Sequence, residues 1–157
     1  MRAHLAKALD WGEAHADFDQ AVAGLAPELR GRRVHGLPHS AWEILEHLRI
    51  AQHDILDFAK NANYKEMKWP DQYWPKSPEP PSAKAWDESV AQFTRDRETV
   101  KKLASDPNVD LAARIPHGDK PAQTYMRAVL LVIDHNAYHV GELVALRRLL
   151  GAWPPKA

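Results

Sequence analysis

Apolar residues recur along the chain at helical spacing, and no stretch alternates apolar and polar positions between hairpin turns, so the pattern predicts an all-α protein. The first helix is expected from about Arg2 to Leu25, with Leu5, Leu9, Phe18, Val22 and Leu25 as its apolar positions, before Pro27, Gly31 and Gly36 break the pattern. Ser40-Ala-Trp-Glu43 has the form of a capping box, in which a serine hydroxyl and a glutamate carboxylate satisfy the free amides that begin a helix. The helix it opens runs to about Lys60 with Ile44, Leu48, Ala51, Ile55 and Phe58 on one side, and His47 falls on that stripe. Across 61–81, Pro70, Pro75, Pro78, Pro80 and Pro81 forbid a continuous helix, while Trp69, Tyr73 and Trp74 can wall a pocket or seal the end of a bundle. This segment reads as a long ordered crossover.

Ser82 can cap a third helix that carries Trp86, Val90, Phe93, Val100 and Leu103 and stops at Asp106-Pro107. The last helix is expected to begin near Gln123 or Thr124 and reach Leu150, where Gly151 is placed for a left-handed cap and Arg147 and Arg148 suit the negative end. Four helices of this length bury their stripes most simply against one another, as a four-helix bundle forming a single domain over 1–157.

Composition narrows the function classes. Lys plus Arg and Asp plus Glu number 21 each, so no global field favours nucleic acid, and no basic cluster is denser than Arg30, Arg32 and Arg33. The longest apolar run, Ala128 to Ile133, ends at Asp134, and the first residues carry no hydrophobic signal core, so no membrane partner and a cytoplasmic location are expected. With no cysteine there is no disulfide, no thiolate metal ligand and no thiol nucleophile on the chain, so any thiol chemistry must use a soluble thiol.

In Asp134-His135-Asn136-Ala137-Tyr138-His139 the two histidines are four apart, which on a helix places them on one face about 5 to 6 Å apart. That separation suits two imidazoles on one ion, since zinc takes nitrogen ligands at about 2.0 to 2.1 Å, and three protein ligands with a fourth position open is the usual catalytic pattern. His47 is the best third ligand because its stripe is otherwise apolar, whereas His4, His15, His35, His39, His53 and His117 fall at polar helical positions or in loops. Read from residues alone, His47 is equally a hydrogen-bonded core histidine, and an i,i+4 histidine pair arises by chance. Metal binding would need neutral imidazoles, so affinity is expected to fall as pH drops through about 6.5.

Glu142 shares the face of His135 and His139 and could be a fourth ligand, an outer acceptor, a general base or a solvated charge. Asp54 shares a face with His47, but seven residues span about 10 Å along the axis, too far for the same ion. Tyr138 and Asn136 can orient water or substrate, or simply pack. Gly141 costs about 1 kcal/mol against alanine in a helix and suggests close approach of a neighbouring helix or ligand. No phosphate-cradling glycine loop, serine nucleophile elbow or His-Glu-x-x-His motif is present. A di-iron carboxylate site would need paired Glu-x-x-His motifs, and only His139 with Glu142 comes near, in reversed order.

Three segments, Trp42-Glu43-Ile44-Leu45-Glu46-His47-Leu48, Asp134-His135-Asn136-Ala137-Tyr138-His139-Val140-Gly141-Glu142 and Leu146-Arg147-Arg148-Leu149-Leu150-Gly151, resemble the DinB/YfiT-like superfamily over nearly the whole chain. The resemblance implies a four-helix bundle in which one histidine of the second helix and an H-x-x-x-H pair of the fourth hold a metal, here His47, His135 and His139. Zinc or nickel is the expected ion. Some members look like transferases or isomerases using a low-molecular-weight thiol such as bacillithiol or mycothiol, others resemble metal-dependent hydrolases, and many have no assigned activity. The expectation is therefore a metalloenzyme that activates a thiol or water, with Glu142 and Tyr138 as candidate catalytic residues assisting proton transfer. The alternatives are a metal-dependent hydrolase and a non-catalytic, metal-stabilised binding or stress-response module. A homodimer is also expected, burying the tryptophan-rich crossover and Trp153-Pro154-Pro155 against a second copy.

Overall fold

The capping box at Ser40 sets the start of the central helix of the core. In the computed structural model, which describes residues 1–10 and 12–155, the Ser40 hydroxyl accepts from the Glu43 amide at 3.2 Å and Glu43 Oε2 accepts from the Ser40 amide at 2.8 Å. The described helices are α1 (Arg2–Ala8), α2 (Phe18–Val22), α3 (Ala41–Lys60), α4 (Ala83–Ser105) and α5 (Tyr125–Leu149), and no strand occurs among the described residues. Ser82 and Thr124 cap α4 and α5 through their hydroxyls, and Gly151 closes α5 at φ 69°.

The helix expected over Arg2 to Leu25 is two short helices instead. Apolar spacing continues through the interval, but Asp17 forms its own capping box with Gln20, which starts a new helix, and Gly24 at φ 63° turns the chain after it. Trp11, inside the expected helix, lies outside the described residues. Arg97 of α4 anchors the two pieces by ion pairs of 3.1 Å to both Asp10 and Asp19.

α3 is the central element, packed on α4 along one side and α5 along the other, with α1 laid on α4 and α2 on α5. Phe18, Trp42, Leu45, Leu48, Trp86, Phe93, Leu143 and Leu146 fill one end, and Leu9, Leu56, Val100, Val129 and Val132 fill the other. Between them a buried polar staple crosses three helices, since Asn136 Nδ2 donates to Gln52 Oε1 at 2.9 Å and Gln52 Nε2 donates to the Phe93 carbonyl at 2.8 Å. This fixes the rotation of α5 against α3, which decides where the histidines of both helices meet. Trp153 packs on this chain's own core and under the Arg147 guanidinium. Among the described residues, no helix is long and apolar enough to cross a membrane.

Candidate metal centre

α3 and α5 lie side by side, so a histidine facing α5 from α3 and an i,i+4 pair facing α3 from α5 must converge. His47, His135 and His139 each offer a ring nitrogen, and these three atoms lie within 4.8 Å of one another. His47 Nε2 and His135 Nε2 are 3.1 Å apart, close to the separation of about 3.3 Å that two nitrogens at 2.0 to 2.1 Å subtend on a tetrahedral ion.

The opposite nitrogens determine what the cluster presents. His47 Nδ1 contacts the Tyr73 carbonyl at 2.9 Å; a carbonyl only accepts, so Nδ1 carries the proton and Nε2 faces the cluster with a lone pair. His139 Nδ1 contacts Glu142 Oε2 at 2.9 Å; a carboxylate only accepts, so Nδ1 carries the proton and Nε2 is the nitrogen left for the cluster. Such outer acceptors fix tautomer and ring orientation at metal-ligating histidines. His135 Nδ1 is buried without a hydrogen-bond partner, as is Oδ1 of the adjacent Asn136. Burial, reinforced by the charges that His139 and His47 would carry, pushes the His135 pKa down to about 4. Burial likewise pushes His47 down to about 4, against the opposing effect of its bond to the Tyr73 carbonyl. Both rings are therefore neutral across the physiological range. Three converging ring nitrogens, outer acceptors on two of the rings and neutral imidazoles at His47 and His135 make a donor set that fits a divalent ion.

Glu142 lies outside the group of converging ligand atoms and accepts from His139, which holds its carboxyl below the usual carboxylate range. Its other oxygen is 3.7 Å from His39 Nδ1. His39, set aside in the sequence as a loop residue, stacks on Trp74 at 3.9 Å, and Trp74 stacks on His47 at 3.9 Å with an interplanar angle of 3°. The crossover thus walls the cluster. Tyr138 is 72 % exposed and meets His139 edge-on at 4.9 Å. Asn136 belongs to the buried staple, and Asp54 accepts from the Tyr64 and Tyr73 hydroxyls at 2.9 and 2.7 Å. No neighbouring helix makes the close approach expected at Gly141: a Cβ there would meet no protein atom within 4 Å.

No signal in the sequence pointed to the Tyr73 carbonyl or to His39; the spacing of aromatics on the crossover was the only pointer to Trp74. Comparison with curated proteins and with solved structures gave no match. The model of the DinB superfamily matches residues 10–143, which takes in α2 to α4, most of α5 and all three clustered histidines. The chain belongs to the DinB superfamily.

Proposed function

We propose that this protein is a metal-dependent enzyme in which His47, His135 and His139 hold one zinc or nickel ion that activates a low-molecular-weight thiol or water, in the manner of a thiol-dependent transferase or isomerase. The observation that carries the reading is the composition of the cluster: three nitrogens converge, and among the described residues no fourth His, Asp or Glu joins them. A closed structural site takes four protein ligands, whereas three leave one position for a small molecule. When bound, the ion supplies Lewis acidity and lowers the pKa of a coordinated thiol or water.

The chain's own groups do the remaining work. The Tyr73 carbonyl and Glu142 hold the His47 and His139 rings in register. Trp74 covers one face of His47 and shields it from water. Glu142 has one oxygen committed to His139, and its other oxygen, 3.7 Å from His39 Nδ1, is left to accept a proton from a bound molecule. Tyr138, at the exposed rim, is placed to assist proton transfer to or from a bound molecule. With no cysteine in the sequence, the thiol comes from solution.

The test is a thiol-conjugation, isomerisation and hydrolysis screen on protein verified to be zinc- or nickel-loaded. Turnover that His135→Ala abolishes, and that Tyr138→Phe slows without changing metal content, is the expected result. A loaded protein that turns over neither thiol nor ester substrates would overturn it.

A further inference from the structure

A cavity of about 630 Å³ opens between α3, the crossover and the start of α5, within the range of small-molecule sites. Ile55 and Phe58 of the α3 stripe pack against the core with one side and, being only partly buried, line the cavity with the other. It adjoins the histidine cluster at two places. Leu131, on its wall, is one helical turn before His135. Tyr73 belongs to both sites, since its carbonyl holds His47 Nδ1 and its hydroxyl donates to Asp54 on the cavity wall.

The charges around this cavity are segregated. On the α3 and crossover side, Asp54 accepts from the Tyr64 and Tyr73 hydroxyls, and Glu66 stands beside them. Burial and the contact with Asp54 push both phenol pKa values up, so they remain donors to Asp54. That side is negative and rich in acceptors. On the opposite side, Arg127 and Lys120 line the cavity with no ion pair among the described residues, and Asp119 is the one carboxylate near them, leaving positive charge in excess by two to one. Apolar side chains of α3 and α5 form the floor between.

We propose that this cavity binds the second substrate of the adjacent centre, and that this substrate is zwitterionic, an amino-acid or dipeptide-like molecule whose ammonium meets Asp54 and whose carboxylate meets Arg127 and Lys120. Opposite charges at the two ends fix the direction in which the molecule lies, and its apolar body covers the floor. The inference rests on the histidine cluster as the reacting centre, and the experiment separates the two.

Binding of L-alanyl-L-phenylalanine, its N-acetyl derivative and its C-terminal amide is measured by calorimetry on zinc-loaded and on chelator-stripped protein. The dipeptide is expected to bind both forms, and acetylation and amidation are each expected to weaken it about tenfold or more, the usual effect of losing one charged hydrogen bond. Asp54→Asn should abolish the discrimination against the acetylated peptide alone, and Arg127→Ala, at an exposed residue, the discrimination against the amide alone. Equal binding of the three peptides, or binding only to the zinc-loaded form, would overturn the proposal. Selectivity that persists in a protein taking up no stoichiometric zinc would contradict the metal reading and uphold the cavity.

Discussion

His139 donates its Nδ1 proton to Glu142 Oε2 at 2.9 Å, one turn further along the same helix. The bond orients the ring and raises the basicity of the nitrogen on its far side, so its removal should act on metal affinity before it acts on fold. Glu142→Ala is expected to weaken zinc binding about 10- to 100-fold, and Glu142→Gln, which still offers an acceptor, by less. A competition titration against a chromophoric chelator reads this directly. Unchanged affinity in the alanine variant would remove Glu142 from the site.

The buried imidazoles make stability depend on pH. His47 and His135 have folded pKa values near 4, against about 6.5 in an unfolded chain. Above about 6.5 neither state binds their protons and they contribute no slope. As pH falls from about 6.5 towards 4 the unfolded chain takes up protons that the native chain refuses, so stability is lost through this window, and below 4 these two groups add no further loss. Thermal unfolding of chelator-treated protein between pH 7.5 and 4 should show this slope, and a His47→Gln/His135→Gln variant should show less of it. Parallel curves would contradict the buried neutral rings. In the folded chain these two histidines also resist proton competition to lower pH than ordinary imidazoles would, so zinc should be retained below the region near 6.5 at which release was expected.

Arg147 is 1 % exposed, and no carboxylate pairs with it among the described residues. Its guanidinium donates to the Ala21 carbonyl at 2.7 Å and the Ala152 carbonyl at 3.1 Å, tying α2 and the segment after α5 to one point. Arg147→Met keeps the aliphatic volume but leaves those carbonyls without their donor. A loss of about 3 kcal/mol is expected from urea unfolding, on the scale of hydrogen bonds to a buried charge. A change within about 0.5 kcal/mol, the range of ordinary surface substitutions, would show that the bonds are incidental.

What could be read from the sequence was local. The Ser40 capping box, the Ser82 and Thr124 caps and Gly151 carry their own start and stop chemistry within four residues, and the histidines stand out because two share a helical face and the third interrupts an apolar stripe. The division of the first helix was not legible, because Leu5, Leu9, Phe18 and Val22 keep helical spacing across a gap that Asp17 reopens with its own cap. The Tyr73 carbonyl could not be anticipated, since every residue has one and this one lies 26 residues from His47. His39 and Trp74 depend on the same long closure: only when the crossover folds back do they stack against His47.

The central claim is that three histidines from two helices hold one divalent ion. Elemental analysis of chelator-stripped protein reloaded with zinc and dialysed tests it most directly, run on the native chain beside His47→Ala, His135→Ala and His139→Ala. The account predicts about one zinc per native chain and loss of tightly held metal in each variant, with helical content retained. Full stoichiometry in all three variants, or none in the native chain, would contradict it.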